Sequence, residues 1–501
     1  MSRFIKGDRT MSAALQKDAY KIAHKEMYPD NTTFLYSNFT ARSGLHSNIP
    51  ESKGVTFVGL QHTLVEYFID DWNYSFFTRP KKKVIAKYKR IVEAMVGEVD
   101  ISHIEALHDL GYLPLEIKAL PEGSFVPYGV PMITIKNTLP EFFWVVNMIE
   151  SVLSAEIWQP ITSATTYMAY KALAHKYADI TGADKSFIPY QIHDFSFRGM
   201  SSRQAAAKSA FAVLACGSLG TDCIPAIDLA EEYYYADVTK EVVGTSIKGT
   251  EHSIMCCGTK EGELETYRRL ITEVVPDGMI AIVSDTWDFW KVVTEYLVEL
   301  KPEIMVREGK LVIRPDSGDP VRVICGCSFT DWSPEKKGLI EVLWDIFGGT
   351  INEAGYKVLD SHIGAIYGDS ITYDRAEKIF KRLEEKGFAS SNIVLGVGSY
   401  TYQMQSRDTH GFAMKATYTI INGEGASIFK DPITDSGIKK SAKGLLRVDK
   451  VDGKYTLTQE VSVEEEEKGC LEVVFKDGVL VKSTTLNEIR ELTKVNSYER
   501  D

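Results

Sequence analysis

The sequence is poor in the residues that staple small domains or build metal sites. Its seven cysteines form no C-x₂-C pair, and an odd number spread over a long chain does not make a disulfide framework. Cys256-Cys257 and Cys325-Gly326-Cys327 have spacings unsuited to a structural zinc and read as small apolar residues. No helical His pair four apart accompanies His193-Asp194 or Glu251-His252, so neither reads as a zinc site. Positive charge is in deficit, with 57 Lys and Arg against 69 Asp and Glu and a net charge of -12. That excludes nucleic acid as the main partner, because binding its backbone needs a basic surface. It does not exclude a small polyanion held in a local pocket of arginines and lysines. No window holds the roughly 20 consecutive apolar residues of a membrane-crossing helix. The start, Met1-Ser2-Arg3-Phe4-Ile5-Lys6, lacks the apolar run of a secretory signal. A reducing cytoplasm, without a membrane partner, is the expected setting.

What is present is a globular composition, 44% hydrophobic and 25% charged over 501 residues, long enough for more than one core. An apolar strand, a polar or glycine-bearing turn and an amphipathic helix recur. Met279 to Val283 ends in Ser284-Asp285, ahead of a helix with Trp287, Trp290 and Leu297. Leu311 to Ile313 ends in Arg314-Pro315-Asp316-Ser317-Gly318, and Ile363 to Tyr367 in Gly368-Asp369 before a helix from Ala376 to Lys386. Asn392 to Leu395 ends in Gly396-Val397-Gly398-Ser399, Phe187 to Ile192 leads into His193-Asp194-Phe195, and Arg203 to Ala215 is an alanine-rich helix. Such alternation predicts a parallel sheet with crossover connections. Polar strand ends suit the rim of an α/β barrel, although an open doubly wound sheet gives the same pattern.

The chain ends read differently. Phe34–Phe39, Leu115–Leu120, Met132–Lys136, Lys415–Ile421, Tyr455–Gln459, Leu471–Lys476 and Val479–Ser483 are strand-like, and Lys476-Asp477-Gly478 reads as a hairpin turn. Lys81-Lys82-Lys83 reads as a solvated turn before a helix, and Glu464 to Glu467 as a loop between strands. The expected architecture is a central atypical α/β barrel over 156–400. A mostly antiparallel β domain built from 1–155 and 401–501 flanks it.

Single motifs leave their chemistry open. Arg314 and Asp316, two apart at a strand end, point to one side. They suit an anion and ribose hydroxyls, or a plain rim salt bridge. Gly396-Val397-Gly398-Ser399 offers bare N–H groups to a phosphate, or is a tight turn needing positive φ. His252 follows Gly249-Thr250-Glu251, where an imidazole could reach a phosphate or be a histidine satisfied by Glu251.

In combination the blocks are specific. His193-Asp194-Phe195-Ser196-Phe197-Arg198-Gly199, Gly220-Thr221-Asp222, Ser246 to Ser253 and Val283-Ser284-Asp285 come in order. Ile313 to Gly318, Gly368-Asp369, Arg407-Asp408 and Phe429-Lys430-Asp431-Pro432 follow. Together they resemble the nicotinamide phosphoribosyltransferase family, from Lys17-Asp18-Ala19-Tyr20-Lys21 to Leu486-Asn487-Glu488-Ile489-Arg490. Family members tend to begin near the first block, so Met11 is an alternative start.

The resemblance implies transfer of the phosphoribosyl group of phosphoribosyl pyrophosphate to nicotinamide, in a type II phosphoribosyltransferase homodimer with shared active sites. Phe195 and the Tyr20 of the other subunit are expected to sandwich the pyridine ring, and Asp222 to accept its amide N–H₂. Arg198 and Arg314 are expected to line the base and phosphate region, with Asp18 and Ser284 nearby. Asp316, Gly368 and Asp369 are expected to hold the ribose, and Gly398 and Ser399 its 5′-phosphate. Arg42, Arg407, Lys415 and Lys430 are expected to gather pyrophosphate or ATP phosphates, with Mg²⁺ held largely by those phosphates. His252 corresponds to a histidine that ATP phosphorylates, with Glu251 orienting its ring.

Asp222 facing a nicotinate carboxylate at about 4 Å would cost on the order of 4 kcal/mol at an effective dielectric near 20. That separates the family from its nearest alternative, a nicotinate phosphoribosyltransferase. Retention of His252, Arg314 and Asp316 argues against a non-catalytic signalling protein. The departures from the family pattern bear on the ATP contacts. Ser399 stands where glycine is common, Ala413 where a hydroxyl is usual, and Lys248-Gly249-Thr250 where Pro-Ala-Ala precedes the Glu-His pair. Near Lys439-Lys440-Ser441-Ala442-Lys443-Gly444 the pattern slips by a residue, and Leu445 falls where an arginine is expected.

Overall fold

Strands drawn from the two ends of the chain lie side by side in a seven-stranded sheet of the computed structural model, which describes residues 11–327, 333–431 and 441–496. Pro432, Lys439 and Lys440 lie outside the described residues. The order is Glu424–Ser427, Ala413–Ile421, Thr32–Thr40, Pro131–Asn137, Leu115–Ala119, Glu472–Lys476 and Val479–Leu480. Every neighbouring pair is antiparallel. Leu35, Phe39, Ile117, Ile133, Ile135 and Phe475 are buried in its core. Asp477 and Gly478 both have positive φ, 49° and 79°, the pattern of a two-residue type I′ hairpin whose twist matches the strands. The last strand stops at Leu480, short of the expected Ser483. Lys454–Gln459 is a strand but lies outside this sheet, paired with Leu446–Val451 in a separate hairpin.

Two charge runs depart from expectation. Lys81 to Lys83 form the first turn of the helix Lys81–Val96, with Lys81 paired to Asp109 at 2.6 Å. The acidic run is a helical turn, Val463–Glu466, closed by a Ser462/Glu465 capping box. Glu466 is buried against Lys118 at 2.8 Å.

The parallel sheet has the order Ile192–Asp194, Ile393–Val397, Ile363–Tyr367, Gly309–Arg314, Gly278–Val283 and Lys248–Gly249. Parallel bridges join Asp194 to Thr221 and Gly220 to Thr245, on either side of the segment before Asp222. Ala281, Val312 and Ile366 form a buried apolar cluster on one face of the sheet, with Phe195 and Val394 packed against it. The helices Arg203–Ala215 and Tyr373–Glu385 are present. Phe187 to Gln191 is helical, not extended, and the strand begins at Ile192. A 32-residue helix, Glu150–Thr181, carries no sequence signal of an apolar stripe.

By contact density the chain divides into two units. One holds the segment up to Thr165, the short piece Ala230–Ala236 and the segment from Gln405 on. The other holds Thr166–Leu229 and Asp237–Met404, and thus the parallel sheet. Among the described residues no helix is long and apolar enough to cross a membrane.

Candidate active site

The carboxyl ends of the parallel strands bring together Phe195, Asp222, Arg314, Asp316, Gly368 and the Gly396 to Ser399 segment. Phe195 is fixed at its backbone by an N–H bond to the Val397 carbonyl, 3.0 Å. Its ring lies across two strand ends that carry no side chain. A Cβ on Gly396 would sit 2.6 Å from Phe195 Cε2, and one on Gly368 2.9 Å from the same atom and 3.3 Å from Asp316 Oδ1. The glycines serve this ring contact and not a left-handed turn. Gly398 has φ -99°, and Gly396 is not among the glycines of positive φ.

Asp222 is joined to this ring by the buried Asp194. The Asp194 carboxylate accepts Ser196 N–H on one oxygen at 3.0 Å and Thr221 O–H on the other at 2.9 Å. Its carbonyl accepts the Asp222 N–H at 3.0 Å. Burial pushes the Asp194 carboxyl above the usual range. At Asp222 burial pushes the same way but is outweighed. Hydrogen bonds from His193 (3.0 Å) and Ser246 (2.6 Å), with the charge of Arg314, hold it below the usual carboxylate range. The sequence raises His193 only as a metal ligand, which it sets aside, and does not single out Ser246. Each meets Asp222 across 24 or 29 residues of chain, so no local spacing reveals them.

The next strand ends carry the acidic and imidazole groups. Asp285 Oδ2 accepts the Asp316 N–H at 3.0 Å and the Ser317 hydroxyl at 2.5 Å, while its Oδ1 is buried without a hydrogen-bond partner. Arg314 lies 3.4 Å from Asp316. Burial and the neighbouring Asp285 and Asp369 carboxylates raise Asp316 despite Arg314 and His252. His252 opens the helix His252–Cys257, with Nδ1 3.1 Å from the Thr286 hydroxyl and Nε2 3.9 Å from Asp285. Thr286 and Asp285, and not Glu251, are therefore the partners of its ring. The Glu251 carboxylate is taken by the Ser253 hydroxyl. Ser284 is fully buried, its hydroxyl accepting from Tyr267 at 2.7 Å and donating to the Ile282 carbonyl at 2.8 Å. It acts as a support for the strand end.

Arg198 is exposed on the turn Phe197–Gly199, and a Cβ on Gly199 would collide with Ser399. Asp369 accepts the Ser370 hydroxyl at 3.1 Å. A cavity of about 650 Å³ is lined by His193, Phe195, Asp222, Ser246 and Arg314 together with apolar residues of the parallel strands such as Ala281, Val312 and Ile366. No group of three or more His, Cys, Asp or Glu suited to a metal ion occurs among the described residues.

The remaining candidates belong to the other unit. Tyr20 is 63% exposed, with its ring 5.3 Å from that of His24. Asp18 accepts the Ser151 hydroxyl at 2.5 Å. Lys415 has its ammonium pulled down by burial and by Arg42, Lys430 and Arg407, against the opposing Glu150. Those four cations form one field. Arg42 is aimed by its Nε–H bond to the Gly411 carbonyl, 2.8 Å.

A model of the nicotinate phosphoribosyltransferase (NAPRTase) family matches residues 190–481. A nicotinamide phosphoribosyltransferase of Acinetobacter baylyi is 50% identical over 485 residues, 95% of either chain. One of Mycoplasma pneumoniae is 35% identical over 83% of this chain and 92% of its own. Among solved structures, nicotinate-nucleotide pyrophosphorylase from Pyrococcus furiosus has a TM-score of 0.58 at 14% identity, over 100% of both chains. Human nicotinic acid phosphoribosyltransferase has a TM-score of 0.52 at 13% identity, over 95% of this chain and 93% of its own. At those identities the two structures speak for the fold alone. With its family model and its relatives both covering most of the length, the chain belongs to the nicotinate phosphoribosyltransferase family.

Proposed function

We propose that the protein is a nicotinamide phosphoribosyltransferase of NAD salvage, which joins nicotinamide to the ribose of phosphoribosyl pyrophosphate and releases pyrophosphate. The observation that carries the choice of base is Asp222, held ionised in the wall of the cavity that the Phe195 ring also lines. An ionised carboxylate accepts the amide N–H₂ of nicotinamide and repels the carboxylate of nicotinate. The aromatic face selects a flat ring.

The reaction asks little of acid–base groups. The C1–O bond of the sugar breaks with its electron pair leaving on pyrophosphate. The pyridine nitrogen lone pair then forms the C1–N bond from the opposite face. That nitrogen has no proton to lose, so positioning and anion stabilisation dominate. In this reading Asp316, Gly368 and Asp369 hold the ribose, Arg198, Gly398 and Ser399 lie at its phosphate, and Arg314 lies between base and phosphate. Arg42, Arg407, Lys415 and Lys430 of a second copy meet pyrophosphate or ATP, and the Tyr20 of that copy closes the ring stack, making a homodimer.

Mg²⁺ suits this site as a partner of substrate phosphates. Asp285, with one oxygen lacking a hydrogen bond, and Asp316 and Asp369 beside it concentrate negative charge near Arg314 and His252, yet no three-ligand cage exists among the described residues. Bound, the ion would neutralise pyrophosphate charge. His252, between Thr286 and Asp285, is in this reading the acceptor of an ATP phosphoryl group. The two bridges at Thr221 and Thr245 support reading the parallel sheet as a closed barrel.

The test is to supply phosphoribosyl pyrophosphate, Mg²⁺ and either base, with and without ATP, and to quantify the mononucleotides. Nicotinamide mononucleotide well ahead of the nicotinate product is expected, with an ATP gain that His252→Ala removes. Preference for nicotinate, or no product from either base, would overturn the assignment.

A further inference from the structure

We infer that His193 and Ser246 are positioning residues that set base selectivity by clamping one oxygen of Asp222, so that only the other meets the substrate. This rests on the reading of Asp222 as the amide acceptor. His193 Nε2 and Ser246 Oγ lie 3.0 and 2.6 Å from the same atom, Asp222 Oδ1. Among the described residues Oδ2 has no hydrogen-bond partner, and Asp222 faces the cavity. An ionised carboxylate only accepts, so Nε2 carries the proton and donates, as does the serine hydroxyl.

The two donors come from different places in the sheet. His193 sits on the strand Ile192–Asp194, and Ser246 follows Thr245, which is bridged to Gly220. The imidazole is itself wedged. A Cβ on Gly220 would sit 2.7 Å from its Nδ1, and its centroid lies 4.8 Å from that of Phe195. Ring and carboxylate are thus held through one imidazole, and Oδ2 is the oxygen left for a ring substituent in the cavity they line.

The clamp also acts on charge. Burial alone would favour a neutral Asp222, and a neutral carboxyl can donate to nicotinate as readily as it accepts from nicotinamide. His193 and Ser246 oppose that, helped by Arg314. His193 and Arg314 are the charged groups that act most on Asp222, and His193 is shared with the buried Asp194. Without the two donors the carboxyl takes up a proton at higher pH, and discrimination then fades as pH falls.

The experiment compares kcat/KM for the two bases at pH 5.5, 6.5 and 7.5 (approximate settings spanning the carboxylate-to-neutral range) in full-length protein. The variants are His193→Leu, His193→Gln and Ser246→Ala. His193→Leu and Ser246→Ala are each expected to lower the nicotinamide-to-nicotinate ratio by roughly tenfold, the loss of one hydrogen bond to a charged group. The change should fall on KM for nicotinamide, leave KM for phosphoribosyl pyrophosphate unmoved, and grow toward low pH. His193→Gln, which keeps a donor, should restore most of the ratio. Wild-type ratios in both His193→Leu and Ser246→Ala, or equal losses for both bases, would overturn the clamp. Ser246→Ala decides if His193→Leu does not fold. A wild-type protein that uses neither base would instead bring down the functional reading on which the clamp rests.

Discussion

The ring of Phe195 can lie across the strand ends only because Gly396 and Gly368 leave room for it. A methyl at 396 would meet both the Phe195 ring and, at 2.8 Å, the backbone Cα of Gly368. Gly396→Ala should therefore displace the ring, raising KM for nicotinamide about tenfold and costing about 1–3 kcal/mol of overpacking. Steady-state kinetics with a thermal melt would check both. Of the two sequence readings of this segment, the tight turn of positive φ is the one the backbone sets aside. Glycine pairs suggest positive φ, but here the demand comes from a side chain two hundred residues earlier in sequence. His193 and Ser246 stayed hidden on the same account. Buried histidines of the antiparallel unit add a pH signature. Burial pulls His103 and His410 down to about 4, well under the ordinary value of 6.5. Between those values the unfolded chain binds the proton first, so stability is full above pH 6.5 and falls toward pH 4. Each contributes on the order of 3 kcal/mol across that window. His103→Gln should flatten the loss measured by urea unfolding at pH 7 and 5, and an unchanged slope would refute it.

Elements were legible where their periodicity was strong. Ile363–Tyr367 and Arg203–Ala215 fall where the pattern put them. The long helix Glu150–Thr181 did not announce itself, because much of its circumference is buried, as at Leu153, Ile157, Ile161, Ala164, Tyr167 and Met168. An element covered on several sides shows no apolar stripe. The acidic run misled in the opposite way, since a cluster of glutamates looks solvated until its cation is known. Lys118 lies inside the sheet, 4% exposed, between Glu466 at 2.8 Å and Glu467 at 2.7 Å. The Tyr36 hydroxyl lies 3.3 Å from Glu466. Lys118→Met strands the buried Glu466 and should cost about 3–5 kcal/mol in chemical denaturation. Adding Glu466→Leu should recover most of it. A cost below about 1 kcal/mol for the single variant would show that the pair behaves as a surface bridge.

At the scale of the molecule, Phe195 and Asp222 belong to one unit and Tyr20 and the Arg42 cluster to the other. If two copies share their sites, a Tyr20→Ala protein and a Phe195→Ala protein, each nearly inactive, should complement on mixing. Random exchange would restore about a quarter of wild-type activity, one intact site in each mixed dimer. No recovery after demonstrated subunit exchange would exclude shared sites. The division of the chain was legible in its strand and helix patterning, whereas the pairing of Tyr20 with Phe195 came only through the resemblance, because contacts between distant segments leave no local trace. The same topology governs how the protein is made. Asn38 bonds the Lys415 carbonyl across 377 residues, so the strand Thr32–Thr40 emerges from the ribosome long before its neighbour exists. Its unpaired edge must wait, exposed to aggregation, while the parallel unit that ends at Met404 can already condense. Synthesis halted just after Met404 should thus leave the parallel sheet protected from protease and the opening strands a target for chaperones.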